Sequence, residues 1–430
     1  MADIRPFHGI RYSEQLGIDL GQLLCPPYDV ISPTLQEQLY ETNQYNIIRL
    51  ELGKDLETDS GTDNRYSRAS TLFNSWVADH VMVSEREPAY YLIEEEFFHV
   101  GTLRKRRSLL AIVKLEELSS GVIIPHEETS PGPKADRLNL LTATKANMSP
   151  IMALYRSQSS HLRKMINTKA SETPSSQVSY LNNNIKLWVI SQQDQVDIIR
   201  VSLRDTPVYL ADGHHRYETA LRYRNTQNPG TSSEGAHNFV MMSLLDIEDP
   251  GLIVLPYHRM LYGISNEIRN RILEKIREFF DIVDYSSRPE DIPGLINSFQ
   301  SDPDKSSSHQ MNIGIMKSPG ASFQVASLKE SFTPFSPIEK CHSWFLSKKI
   351  LEPILGSQET LVGKGLLTFT HEATEVLKNV SDDSCQLGLL LPPLNLDVFE
   401  QVVKSGSRMP IKSTYFSPKL PTGLVLNKVE

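Results

Sequence analysis

Cysteine is scarce in this chain: three among 430 residues, Cys25, Cys341 and Cys385. None sits in a CxxC pair or at a metal-ligand spacing. That excludes a disulfide framework for a chain of this length and fits a reducing compartment. Long apolar runs are also missing. Nothing approaches the roughly 18 apolar residues of a membrane span, and the first residues, MADIRPFHGI, lack the apolar core of a secretion signal. A cytoplasmic protein with no membrane partner is therefore expected. Positive charge is in deficit, with 44 Lys and Arg against 52 Asp and Glu and a formal net charge of −8. Such a surface repels a phosphate backbone, which counts against nucleic acid as a partner.

What is present is the composition of a globular protein, 39% hydrophobic and 22% charged. The length exceeds the roughly 250–300 residues at which a single core stops growing. No internal repeat is visible. Shifts in the text place domain limits near 105 and 262, giving regions 1–104, 105–261 and 262–430 of an α+β protein with α/β flanks. Ser32-Pro33 predicts a helix start, with serine as cap and proline at the first helical position. Residues 46–52 read as a short apolar strand. A helix is predicted over 66–80, with an apolar stripe through Leu72, Trp76 and Val77. Two strand-like runs, 89–98 and 108–115, flank Arg104-Lys105-Arg106-Arg107. That basic run reads as a solvated hairpin tip, with a phosphate patch as the alternative. A helix is predicted over 135–146, strands over 151–156 and 185–190, a surface loop over 168–184 and an amphipathic helix over 267–280. The run 300–310 is polar and expected to be mobile. Trp76, Trp188 and Trp344 are assigned to the core.

Two segments carry residue types suited to chemistry. In the first, a strand over 206–211 meets a turn at Asp212-Gly213 and a helix from His214 to Arg224. Glycine permits the sharp turn and leaves room for a ligand. The helix start offers unpaired N–H groups and the positive end of the dipole, an anion site. Arg216 adds a planar fork suited to phosphate, and His214 and His215 can donate to the same oxygens. Asp212 can cap the helix or hold a metal ion that bridges phosphates. The second segment is His126-Glu127-Glu128-Thr129, where Glu127 beside His126 can act as a general base towards a hydroxyl. The bland alternatives are an ordinary strand-to-helix turn and an exposed acidic loop. A zinc site on His126, Glu127, His214 and His215 is a rival, although HExxH is absent and adjacent histidines diverge. The loop Lys412-Ser413-Thr414-Tyr415-Phe416, followed by Pro418-Lys419, supplies two cations and two hydroxyls. It can contact phosphate, but it lacks the glycine run of a P-loop. Asp29, Arg49 and His258-Arg259 read as buried structural partners.

These residues also carry a resemblance. PPYDVIS at 26–32, NIIRL at 46–50, PHEET at 125–129 with Asp136-Arg137-Leu138, Asn147 with SPI at 149–151, ADGHHRYETAL at 211–221, PYHRML at 256–261 and MPIKSTYFSPKLPTGLV at 409–425 resemble the prokaryotic family called domain of unknown function 1015. The motifs run over nearly the whole chain, and the family name carries no activity.

A narrower resemblance covers about residues 105–225. There the order of a His-Glu segment, an Arg-Leu pair and a strand ending in Asp-Gly-x-His-Arg-Tyr is similar to the free serine kinases of the ParB/sulfiredoxin-like fold. It implies a ParB/sulfiredoxin-like central domain. It puts the base role on Glu127 and the nucleotide phosphates on Asp212, Gly213, His215 and Arg216. The reading of the residues themselves adds His126 and His215 as catalytic residues, and His214 with Lys412, Ser413 and Thr414 as further phosphate contacts. Glu128, Thr129, Arg137 and Tyr217 are assigned to substrate, and Asp212 to Mg²⁺. The segment between the two motifs is longer here than in the kinases, and the flanking regions have no counterpart in them, so the resemblance leaves the substrate open. The activity implied is phosphoryl transfer between ADP or ATP and a small hydroxylated metabolite, with L-serine or O-phosphoserine the first choice. A phosphoserine phosphatase and a nucleotide-binding switch without turnover are the alternatives.

Overall fold

The computed structural model describes residues 2–129, 132–204, 206–227, 234–285, 294, 311–318 and 322–430. The chain divides into two compact units. The first is Met1–Pro125, Thr129–Leu252 and Pro418–Glu430; the second is His126–Glu128 and Ile253–Ser417. Both combine helices with mixed or antiparallel sheet, so the protein is mixed α/β. Among the described residues, no helix is long and apolar enough to cross a membrane. The three cysteines are buried free thiols. The run 300–310 lies outside the described residues.

The first unit is built on a nine-stranded sheet. Its strands are β1 (Ile4–Arg5), β2 (Tyr90–His99), β3 (Thr102–Lys114), β4 (Ile123–Pro125), β5 (Ile151–Tyr155), β6 (Ser176–Tyr180), β7 (Asn183–Ile190), β8 (Val208–Asp212) and β9 (Phe239–Asp246). They lie in the order β4-β8-β5-β9-β3-β2-β7-β6, and β1 pairs with β3. Helices α1 (Pro33–Thr42), α2 (Ile48–Glu51), α3 (Arg65–Ala78), α4 (Gly132–Thr144), α5 (Ser160–Ala170), α6 (Gln193–Leu203) and α7 (His214–Thr226) complete it. Apolar side chains of β2, β3, β5, β8, β9, α6 and α7 form its largest core cluster. Strand β3 crosses residue 104, and the sheet takes strands from both sides of that position.

Local signals account for several of these elements. Ser32 caps α1 by accepting from the Leu35 N–H at 3.2 Å, and Pro33 occupies the first turn. Asn64 and Ser67 form a reciprocal capping box at the start of α3, which buries Ala69, Phe73 and Trp76 and half-buries Leu72 and Val77. Trp188 is buried and Trp344 half-buried.

Three expectations are corrected. Residues 46–52 are not a strand, because Ile48–Glu51 is a helical turn. Asn46 initiates it by accepting from the Ile48 N–H at 2.9 Å while its amide donates to the Gln22 and Leu24 carbonyls. The basic run is not a hairpin tip. The turn is at Val100-Gly101, and Lys105, Arg106 and Arg107 lie within β3 opposite Glu96, Glu95 and Glu94 of β2. Each cation meets its opposite carboxylate: Lys105–Glu96 and Arg107–Glu94 at 2.6 Å, and Arg106 Nε to Glu95 at 3.0 Å. Opposite charges directly across an antiparallel pair stabilise the register, and this pairing lets Arg106 and Glu95 be buried. The stretch 168–184 is not a loop, since it contains β6, the polar edge strand of the sheet.

The second unit has a six-stranded sheet from β11 (His258–Leu261), β12 (Phe280–Asp284), β13 (Asn312–Lys317), β14 (Ser322–Leu328), β15 (Leu367–Thr370) and β16 (Leu387–Leu390), in the order β12-β14-β13-β16-β11-β15. A separate ribbon pairs β10 (Ile253–Leu255) with β17 (Tyr415–Ser417). The amphipathic α8 (Asn266–Phe279) starts at its Ser265 cap and buries Ile272, Leu273 and Ile276, as the pattern over 267–280 predicts.

Candidate phosphate site and carboxylate cradle

In the first unit, β8 pairs with β5 until its register shifts between Leu210 and Asp212. Such an irregularity re-aims the side chain that follows it. Gly213 then caps α7 at φ 92°, where an L side chain is strained. A Cβ at this position would lie 2.9 Å from Arg216 Nε and Nη2, so the guanidinium packs directly over the turn. Arg216 donates to Asp212 Oδ2 at 2.7 Å, to the Pro150 carbonyl at 2.7 Å and to Ser149 Oγ at 3.0 Å. Asp212 therefore does not cap the helix. Its Oδ1 meets Lys419 Nζ at 3.0 Å, and Lys419 also pairs with Asp29. Burial opposes the charge of the Asp212 carboxylate, but Lys419 and Arg216 outweigh it and hold the group well below the usual carboxylate range.

Arg106 donates to the Pro418 carbonyl at 2.6 Å and so fixes the residue before Lys419. Arg106, Asp212, Arg216 and Lys419 line a cavity of about 20 Å³, closed by Ser108, Ser243 and apolar neighbours. His214 and His215 are half-buried in the first turn of α7. Three cations thus line a small void beside Asp212, which opens the turn before α7.

The residues expected to meet substrate have local partners. Thr129 donates to Glu218 at 3.0 Å. Tyr217 is buried and exchanges hydrogen bonds with the Glu116 backbone at 2.7 and 3.0 Å. Arg137 is buried over the Tyr28 ring and pairs with Asp136 at 2.6 Å and Glu51 at 3.3 Å.

In the second unit, His126-Glu127-Glu128 runs beside Met409, with backbone bonds from Met409 to the His126 carbonyl at 2.8 Å and from Glu128 to the Met409 carbonyl at 3.0 Å. Glu128 is exposed. Glu127 accepts from the backbone N–H groups of Lys412, Ser413 and Thr414 at 3.2, 3.0 and 2.9 Å, and from the Thr414 hydroxyl at 3.0 Å. Lys412 is left-handed, at φ 59°. Consecutive N–H groups that converge around a left-handed residue form an anion nest, and here the anion is Glu127. The loop read as a phosphate contact thus holds a carboxylate of its own chain. His126 is fully buried, 2.7 Å from Thr414 Oγ1 and boxed by Phe399 and Phe416.

Asp29 and Ser149 were not assigned to phosphate from sequence. Lys419 was read there as a phosphate contact of its own loop and Arg106 as part of a basic run with a phosphate patch as the alternative, but neither was placed beside Asp212. Among the described residues, no three His, Cys, Asp or Glu side chains cluster as a metal site. Mg²⁺ makes do with one or two carboxylates when phosphates supply further ligands, and Asp212 with Asp29 meets that lesser requirement.

The family model described as protein of unknown function (DUF1015) matches residues 4–349. No curated protein matches the chain. Among solved structures it is similar to a free serine kinase in complex with AMP, at 12% identity and a TM-score of 0.38, over 75% of this chain and 91% of that one. It is also similar to a conserved hypothetical protein from Pyrococcus furiosus, at 11% identity and a TM-score of 0.36, over 74% of this chain and 95% of that one. C-terminally truncated SbnI from Staphylococcus aureus gives 12% identity and a TM-score of 0.37, over 73% and 85%.

Proposed function

Since the chain belongs to the DUF1015 family, whose description names no activity, we propose from its own residues that it is a phosphotransferase. It moves a phosphoryl group between ADP or ATP and a small hydroxylated metabolite, L-serine or O-phosphoserine first among them. The observation that carries this reading is the convergence of Arg106, Arg216 and Lys419 on the Asp212-Gly213 turn at the head of a thirteen-residue helix. Phosphoryl transfer asks little covalent chemistry of a protein; positioning and neutralisation of charge supply most of the rate. The turn and its three cations do both for a chain of phosphates. His215 and His214 add donors at the same helix start. Asp212 would hold Mg²⁺, which on binding neutralises phosphate charge. Glu127 takes the hydroxyl proton. The resemblance to the free serine kinases of the ParB/sulfiredoxin-like fold in the order of these motifs supports the same assignment.

A second reading, nucleotide binding with little turnover, is favoured by the four donors that Glu127 already accepts from residues 412–414. A base so engaged has reduced capacity for a substrate proton. Phosphorus NMR separates the two. With Mg²⁺, ADP or ATP, and serine, the first reading requires O-phosphoserine to appear as nucleotide is consumed. Nucleotide binding by calorimetry without product leaves the second. Inorganic phosphate released from phosphoserine alone would make the protein a phosphatase.

A further inference from the structure

Lys419 stands between two carboxylates of the first unit. Its Nζ meets Asp212 Oδ1 at 3.0 Å and pairs with Asp29 Oδ2. The side chain is only 9% exposed. Burial opposes its charge, but Asp212 and Asp29 overcome that and hold the ammonium above the usual lysine range. The other oxygen of Asp212, Oδ2, accepts from Arg216 at 2.7 Å. Both oxygens of the carboxylate assigned to Mg²⁺ thus already carry a cation of the chain itself. Asp29 and Asp212 against Lys419 and Arg216 leave these four groups without net charge.

Mg²⁺ stands about 2.0–2.1 Å from a ligand oxygen. A dication that close to either oxygen of Asp212 meets an ammonium or a guanidinium, and one of the two must leave. Arg216 is the harder to move. It also donates to the Pro150 carbonyl at 2.7 Å and to Ser149 Oγ at 3.0 Å, and it packs over Gly213. Lys419 has a flexible four-carbon stem and a compact charged head. Its backbone is anchored, because Arg106 donates to the Pro418 carbonyl at 2.6 Å. The ammonium is therefore tethered beside the carboxylates at high effective concentration, and free Mg²⁺ has to compete with it. Phosphates change the balance. They bring negative charge, and a lysine ammonium pairs readily with phosphate. In their presence the ammonium can turn from carboxylate to phosphate oxygen and stay paired.

We propose that Lys419 is a built-in stand-in for the divalent ion: its ammonium holds Asp29 and Asp212 against free Mg²⁺, so that metal enters only together with nucleotide phosphates. The inference rests on the phosphotransferase reading, in which Asp212 holds the metal, and adds an order of binding to it. Lys419 is a positioning residue here, exchanging one set of anions for another as the site fills.

The test is a titration of the full chain with Mn²⁺ in the absence of nucleotide, followed by the paramagnetic resonance of the free ion. Lys419→Met is expected to bind Mn²⁺ at least tenfold more tightly than the unaltered protein, and Lys419→Arg, which keeps the charge, no more tightly. Equal affinity in all three, or tight binding by Lys419→Arg as well, overturns the proposal. If Lys419→Met does not fold, acylation of Lys419 in the unaltered protein, read by mass spectrometry, decides. A rate that Mg²⁺ alone leaves unchanged upholds the proposal, and a rise with Mg²⁺ alone overturns it. A separate titration with ADP judges the phosphotransferase reading: failure of ADP to bind sinks that reading, while the metal titrations without nucleotide still decide whether Lys419 keeps the ion out.

Discussion

Two carboxylates, Asp212 in the first unit and Glu127 in the second, are held by opposite means. Asp212 is held by side-chain cations, Lys419 and Arg216. Glu127 is held by backbone N–H groups of residues 412–414. A cation cage can be rebuilt by substitution and weakened by salt. A backbone nest depends on the chain's path, here on left-handed Lys412. The contrast suits the proposed roles: exchangeable cations where phosphates come and go, a fixed cradle where one carboxylate must stay in place.

The largest expected effect is on turnover. Glu127→Gln should lower the rate of phosphoryl transfer by about 10²–10⁴-fold, the usual share of a general base, with nucleotide affinity unchanged by calorimetry. Full activity in this variant would remove Glu127 from the mechanism. Next, Asp212→Ala leaves Lys419 and Arg216 facing each other without their shared anion. Breaking a buried pair from one side costs about 3–5 kcal/mol; with Asp212 partly exposed, the lower end is expected in urea denaturation.

Acid should separate the two units by a different route. Burial, with Arg259 and His371 nearby, holds the His258 imidazole down to about 3, and its Nδ1 accepts from the Leu391 N–H at 3.1 Å. The unfolded chain protonates this group near pH 6.5, so the second unit loses up to roughly 1.4 kcal/mol per pH unit as pH falls from about 6.5 towards 3. Asp212, depressed instead below the carboxylate range, contributes stability that is complete above about pH 4 and lost only below it. Amide exchange at pH 5 should therefore show the second unit opening first, and His258→Gln should move that onset. The smallest effect is at the turn: Gly213→Ala, forced to positive φ and against Arg216, should cost about 1–2 kcal/mol and weaken nucleotide binding more than it weakens folding.

Much of the anion site was legible because its signals are local. Asp212-Gly213 and the helix after it announce themselves within a dozen residues, as Ser32-Pro33 does for α1. What was missed is non-local or ambiguous. Lys419 reaches Asp212 from more than two hundred residues away. The 412–414 loop has the donors of a phosphate site, and nothing in its own text says that Glu127 occupies them. Residues 46–52 are apolar enough for a strand, and only the Asn46 side chain turns them into a helix. Residues 104–107 look like a solvated tip until Glu94, Glu95 and Glu96 are set opposite.

That mirrored hairpin also bears on how the sheet finds its alignment. Its three charged rungs join residues only 9 to 13 apart in the chain, so they can close before any distant strand has docked, when the entropy of loop closure is still small. A slip of one residue would turn every side chain to the opposite face and bring Arg106 out of its buried place beside Glu95. Exchanging the charges across the outer two rungs should leave the alignment readable. The middle rung is different, because Arg106 also grips the Pro418 carbonyl. The same arginine that marks the register of the first hairpin to close thus anchors, much later in the chain, the segment that delivers Lys419.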